Sequence, residues 1–185
     1  MHAASTPPSD LSVLPPVVVM GVAGCGKSAV GRRMAAALQL PMVEGDDFHP
    51  PANVARMREG IALTDADRVG WLAQLADVLQ QHPTGAVLSC SALKRAYRDT
   101  LRQAVPGLRF VYLHITPAES QCRVADRPEH FYPPSLVNSQ FEALQDPSGE
   151  PGVLTLDGTE PLDQVAARAA QWLKLPTGPQ RTSGR

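Results

Sequence analysis

The sequence predicts an α/β fold, a five-stranded parallel sheet with helices on both faces. Three observations carry that expectation. Short apolar runs alternate with helical patterns along most of the chain, as repeated strand–helix units require. The runs are apolar at nearly every position, as strands covered on both faces must be. The first run, Val17-Val18-Val19-Met20, feeds Gly-Val-Ala-Gly-Cys-Gly-Lys-Ser at residues 21–28, a complete G-x-x-x-x-G-K-[ST] loop, and a helical segment follows it.

The elements follow in order. The spacing predicts a strand over 17–22, a helix over 27–39 and a short second strand over 41–44. Pro50-Pro51 opens a helical segment near 52–59. Residues 66–80 read as an amphipathic helix with Val69, Leu72, Ala73, Ala76 and Leu79 on its apolar face. A break at His82-Pro83-Thr84-Gly85 precedes a third strand over 86–89, and a helix over 96–104 ends before Pro106-Gly107. A fourth strand is expected over 108–115 and a helix with Pro117 in its first turn over 117–125. Residues 127–134 are irregular, 135–144 helical, 152–156 a fifth strand and 162–173 a last helix. Ligands of such sheets bind beyond the carboxyl ends of the strands. The segments to watch are therefore 21–28, 44–49, 89–94, the stretch from Thr116 onward and 157–161.

The chain has 185 residues, 43% hydrophobic and 19% charged, enough for one domain with a full core. A net charge of −1 argues against nucleic acid as the main partner. No apolar stretch approaches a membrane span. Residues 1–16 read as a disordered leader, 17–174 as a single domain and 175–185 as a flexible tail. Cys25, Cys90 and Cys122 have neither metal-site nor redox-motif spacing, so a reduced, cytoplasmic setting fits best. Cys25 lies beside Lys27 at a helix N-terminus, which would lower its pKa. A small side chain that merely fits there is the simpler account, since phosphoryl transfer needs no thiol.

The glycine-rich loop says polyphosphate. Its backbone N–H groups face inward, and the next helix adds its positive end. Lys27 would reach the terminal phosphates and the Ser28 hydroxyl would sit on Mg²⁺. Glu44, Asp46 and Asp47 follow the second strand and could serve metal-bound water or accept a hydroxyl proton, although a solvated acidic turn remains open. Thr64 or Asp65 could be no more than a helix cap. Lys94 follows the third strand, and a surface lysine remains open there. Arg123 and Arg127 lie a helical turn apart before a proline-framed stretch that could close as a lid. Val153-Leu154-Thr155-Leu156-Asp157 imitates an apolar strand ending in a metal-binding Asp, but it is the last strand and is not expected to hold the metal.

Several pieces in order over roughly 17–173 resemble the gluconokinase family, small P-loop kinases related in fold to shikimate and nucleoside monophosphate kinases. They are the loop 21–28; Gly45-Asp-Asp-Phe-His-Pro50; Asn53 with Met57, Gly60 and Leu63; Asp65-Ala-Asp-Arg68 with Trp71-Leu72; Cys90-Ser-Ala-Leu-Lys94 with Tyr97-Arg98-Asp99; Arg123 and Arg127 with His130-Phe131; and Ser139-Gln-Phe141 with Leu144 and Pro147. The loop is shared by many families, whereas the other pieces together are far more specific. Arg56 stands where the family usually has Lys, and Ala62 and Gly70 where prolines are common.

The resemblance implies a P-loop kinase fold with a short lid at about 127–134 and transfer of phosphate from ATP to D-gluconate, with Mg²⁺. It implies nucleotide contacts from Gly21, Val22, Ala23, Gly24, Cys25, Gly26, Lys27, Ser28 and Arg123, with Arg123 against adenine and the loop 157–161 bounding it. Catalysis would fall to Lys27, Asp46 as the base and Arg127 over the phosphoryl group. Ser28 would ligate Mg²⁺, with Glu44 or Asp46 acting through water. Asp46, His49, Arg56, Asp65, Arg68 and Lys94 are the candidate acceptor residues, with Arg68 and then Lys94 expected to meet the gluconate carboxylate. The resemblance also points to a homodimer.

Overall fold

A computed structural model of the chain describes residues 13–126 and 133–176. Five parallel strands, β1 (Val17–Met20), β2 (Met42–Glu44), β3 (Val87–Ser89), β4 (Arg109–His114) and β5 (Val153–Asp157), form one sheet in the order β2-β3-β1-β4-β5. The helices are α1 (Lys27–Leu38), α2 (Pro51–Arg58), α3 (Asp65–Gln80), α4 (Arg95–Ala104), α5 (Pro117–Ala125), α6 (Val137–Ala143) and α7 (Leu162–Lys174).

The alternation of side chains along β1 divides the core. Val17 and Val19 face α1 and α7, joining Val30, Met34, Val165, Ala169 and Leu173. Val18 and Met20 face α3 and α4, joining Trp71, Leu75, Leu79, Tyr97 and Leu101. All four β1 residues are 0% exposed, so the strand is apolar on both faces for the expected reason.

The chain leaves β1 toward β2 and leaves β3 toward β4. The loops after β1 and β3 therefore part in opposite directions and open a crevice at their carboxyl ends. Gly45 lets β2 reach this crevice, because a Cβ there would stand 2.3 Å from the Ser89 carbonyl oxygen.

Several expectations shift in detail. The apolar face of α3 is Trp71, Leu72, Leu75, Ala76 and Leu79, whereas Val69 is 67% exposed and Ala73 lies outside the core. The cause is Trp71, which buries its ring and donates Nε1–H to the Gly45 carbonyl at 2.7 Å, turning the helix toward its own side. The helix expected over 135–144 opens with a 3₁₀ turn at Pro134–Leu136 before α6 begins. β1 ends at Met20, since Gly21 at φ 142 already turns the chain into the loop. Within the expected leader, the Pro16 carbonyl already accepts from the Arg109 N–H at 3.1 Å. The expected lid lies outside the described residues except for Pro133 and Pro134.

Candidate active site

The phosphate loop is set by backbone geometry that few residues permit. At Gly21 a Cβ would meet the Leu113 carbonyl oxygen and the Cys25 sulfur, each at 2.7 Å. Lys27 begins α1 and donates Nζ–H to the Val22 carbonyl at 3.0 Å, folding its charge back over the loop. Ser28, one residue on, donates its hydroxyl to Glu44 Oε2 at 2.8 Å.

Glu44 is the carboxylate that gathers the strand ends. Its Oε2 also accepts from Ser89 Oγ at 2.5 Å, and its Oε1 from Arg32 at 2.8 Å. A hydroxyl and a carboxylate in contact are hard oxygen donors of the kind Mg²⁺ takes. Among the described residues no group of three or more His, Cys, Asp or Glu side chains could hold a metal. A cation here would draw its remaining ligands from phosphate and water, as Mg²⁺ bound with a nucleotide does. The Asp157 carboxylate at the end of β5, on the sheet edge, accepts from the Thr159 N–H at 2.8 Å and hydroxyl at 2.6 Å.

A cleft with about 860 Å³ of empty space joins the loop to the residues after β2, lined by Lys27, Ser28, Asp46, His49, Arg68 and Gln140 among others. A second cavity, open to solvent, is lined by Asp65, Lys94, Tyr97 and Ser139, and shares Met57, Arg68 and Gln140 with the first. The two cavities therefore adjoin along these shared side chains.

The candidate acceptor residues separate by their partners. Lys94 donates to Asp65 at 2.6 Å, and the Tyr97 hydroxyl donates to the same carboxylate oxygen. These bonds hold the Asp65 carboxyl below its ordinary range, while burial and the Asp65 contact push the Tyr97 phenol up. Arg56 pairs with Asp67 at 3.8 Å, where Asp67 and Thr64 form the capping box of α3, and its buried Nε has no hydrogen-bond partner. Arg68 faces both cavities with its guanidinium 5.9 Å from the Tyr97 ring centroid, and among the described residues no carboxylate pairs with it.

His49 stacks on Trp71, ring centroids 4.2 Å apart, and its buried Nδ1 has no hydrogen-bond partner. Burial, helped by the Arg68 charge and opposed by Asp46, lowers its pKa to about 4, so the imidazole is neutral at pH 7.

Cys25 follows the simpler expectation of a side chain that fits, and only its pKa departs from the lowering that Lys27 would give. Burial raises its thiol pKa and outweighs the neighbouring Lys27 charge, so the side chain packs and does not react. Arg123, on α5, donates to Glu119 at 2.6 Å, to the Gly158 carbonyl at 3.0 Å and to the Gly24 carbonyl at 3.4 Å, joining the phosphate loop to the loop after β5. Arg127 lies outside the described residues.

Gln140 and Arg98 carry no assigned role in the sequence reading. The Ala23 N–H donates to Gln140 Oε1 at 2.6 Å, and the Ala23 carbonyl accepts from Ser120 Oγ at 2.7 Å. Arg98, fully buried, donates to the Ala92 and Leu93 carbonyls at 2.9 Å each. It thereby supports Ala92 in the left-handed region, φ 44, within the loop that carries Lys94. The only sequence signal for either residue is its place in a resembling piece, which does not distinguish a packing role from a chemical one.

Comparisons with known proteins agree with this architecture. A family model described as shikimate kinase matches residues 23–147. The gluconokinase of Gluconobacter oxydans (strain 621H) is 43% identical over 152 residues, covering 80% of this chain and 85% of its own. The thermoresistant gluconokinase of Escherichia coli (strain K12) is 38% identical over 161 residues, covering 85% and 92%. The crystal structure of a gluconokinase from Sinorhizobium meliloti 1021 superposes with a TM-score of 0.80 at 45% identity, covering 87% of this chain and 92% of that one.

Proposed function

The chain belongs to the gluconokinase family, and from that premise we infer that its cleft catalyses ATP-dependent phosphorylation of D-gluconate, giving 6-phospho-D-gluconate and ADP. One observation favours phosphorylation of a small acid over nucleotide binding alone: Asp46, His49 and Arg68 line the same cleft as Lys27 and Ser28.

The roles follow from charge and position. The loop amides of residues 21–28 and the Lys27 ammonium hold the β- and γ-phosphates. Lys27 exchanges its bond to the Val22 carbonyl for phosphate oxygen, a stronger, charged acceptor. Ser28 and Glu44 are the pair suited to Mg²⁺. Bound Mg²⁺ would neutralise charge developing on the transferred group. Asp46 orients the terminal hydroxyl of gluconate and takes its proton. Arg68 meets the carboxylate at the far end of the acceptor, and Lys94 with Asp65 bonds its hydroxyls. Neutral His49 borders the acceptor between Asp46 and Arg68. Arg123 supports the adenine side through Gly158, and the assignment of Arg127 to the phosphoryl group rests on family resemblance.

A single kinase domain over 17–174, a homodimer and a cytoplasmic setting rest on the same resemblance, the last also on cysteines that form no disulfide. No described helix is long and apolar enough to cross a membrane.

Coupled ADP release from purified protein with Mg-ATP tests the function. D-gluconate should support turnover well above that of other sugar acids and of shikimate. Equal, slow ADP release with and without gluconate would reduce the site to a nucleotide-binding device. A clear preference for another acid would reassign the acceptor.

A further inference from the structure

Both polar groups of the Ala23 backbone are held from outside the phosphate loop. Its carbonyl accepts from Ser120 on α5, a side chain 0% exposed, and its N–H donates to Gln140 on α6. The two tethers differ in kind. The Ser120 bond comes from a buried side chain that lines neither cavity. Gln140 enters from the crevice itself, lining both the cleft that holds Lys27 and the cavity that holds Asp65 and Lys94. Ala23 and Gln140 thus both line the cleft that holds Lys27 and Ser28.

An N–H group has one proton to donate. In a loop of this kind the amides face the polyphosphate, so the Gln140 carboxamide and a phosphate oxygen compete for the same donor. The phosphate oxygen is charged and is the stronger acceptor. A displaced carboxamide keeps one acceptor and two donors, and it borders the cavity to which Arg68 brings positive charge.

We propose that Gln140 is a positioning residue that couples the two substrates: it yields the Ala23 N–H to the terminal phosphate of ATP and then bonds the polyhydroxy acid beside it. The coupling rests on the assignment of the cleft to ATP and gluconate. ATP binding opposes one hydrogen bond, and acceptor binding gains one after ATP has arrived. The order of preference, nucleotide before acceptor, is thus written into a neutral side chain that carries out no bond-making step.

The test measures binding of a non-hydrolysable ATP analogue and of ADP, without gluconate, to wild type, Gln140→Met and Gln140→Ala. Met preserves length and packing, so at least one variant keeps the fold. With the competing acceptor gone, both variants should bind the ATP analogue about threefold to tenfold tighter, with ADP within about twofold of wild type. KM for gluconate should rise by about threefold to tenfold while KM for ATP falls. Gln140→Glu, which sets a carboxylate against the phosphate, should weaken the ATP analogue more than ADP. A merely structural glutamine would move ATP analogue and ADP together. That result, or unchanged analogue affinity in both Met and Ala variants, overturns the proposal. A wild type inert toward gluconate overturns the acceptor half together with the reading of the cleft, whereas the comparison of analogue with ADP stands on its own.

Discussion

Arg98 and Glu150 form a bidentate ion pair across 52 residues of sequence, with Nε–H on Oε2 at 3.1 Å and Nη2–H on Oε1 at 2.5 Å. Arg98 is 0% exposed, and its remaining bonds go to the carbonyls of Ala92, Leu93 and Gln145. Burial alone would raise the Glu150 carboxyl, but bonds from Arg98 and Arg102 outweigh it and hold the carboxyl below its ordinary value. The pair fastens the loop of Lys94 to the segment before β5.

Removing Arg98 leaves three unmatched carbonyls and takes the partner of Glu150 Oε1, with Arg102 still on Oε2. Arg98→Ala should cost about 3–5 kcal/mol in chemical denaturation. Arg98→Lys should recover only part of it, because an ammonium cannot meet both carboxylate oxygens in the plane of the fork. A loss below about 1 kcal/mol for Arg98→Ala would show that the network relaxes freely.

Lys27 and Asp46 should separate binding from chemistry. Lys27→Ala should cost roughly 10²–10³ in rate by removing a charge from the transferring phosphate. Asp46→Asn preserves size, so ATP should still bind while kcat collapses. Turnover that survives with only a raised gluconate KM would make Asp46 a binding residue and place the base elsewhere.

The acceptor cations should rank by how free their charge is. Arg68→Gln should raise gluconate KM by about 10- to 100-fold, since a charged hydrogen bond contributes about 1.5–3 kcal/mol. Lys94→Gln should have a smaller effect, because Asp65 at 2.6 Å already neutralises that ammonium. Arg56→Gln, whose charge is turned to Asp67, should leave gluconate KM near wild type. Steady-state kinetics with both substrates varied checks the order, and equal effects from all three would remove Arg68 from the carboxylate.

Stability should fall on acidification through a window set by His49. Its folded pKa of about 4 lies below the ordinary 6.5, through burial and the Arg68 charge and against the opposing Asp46. Between those values the unfolded chain binds a proton that the folded chain refuses. The contribution is complete above pH 6.5 and declines as pH drops toward 4. Denaturation midpoints across this range should fall more steeply for wild type than for His49→Gln. Lowered carboxyls such as Asp65 and Asp67 act mainly below this window and are common to both proteins. Parallel profiles would mean that the imidazole is protonated in the folded state.

Some of this was legible because it is local. Gly21–Ser28 declares its backbone through its glycines, and the unbroken apolar run Val17–Met20 declares a strand buried on both faces. The positions after β2 and β3 followed from the rule that parallel sheets bind at their carboxyl ends. The α3 face was misplaced by Val69 because periodicity sees only spacing. The bond from Trp71 to Gly45 that rotates the helix joins residues 26 apart.

The sequence by itself determined an α/β chain with a phosphate loop, and through family resemblance a gluconate kinase, because those properties reside in contiguous residue patterns. Tertiary structure alone decided which groups act together. Glu44 meets both Ser28 and Ser89 because β2 and β3 lie side by side. Among the described residues Arg68 is left without a carboxylate, while Lys94 and Arg56 each have one. Gln140 reaches Ala23 across 117 residues. A side chain's chemistry is its own, but its free charge, its pKa and its hydrogen-bonding capacity depend on partners brought near by folding. Distances along the chain do not encode those partners.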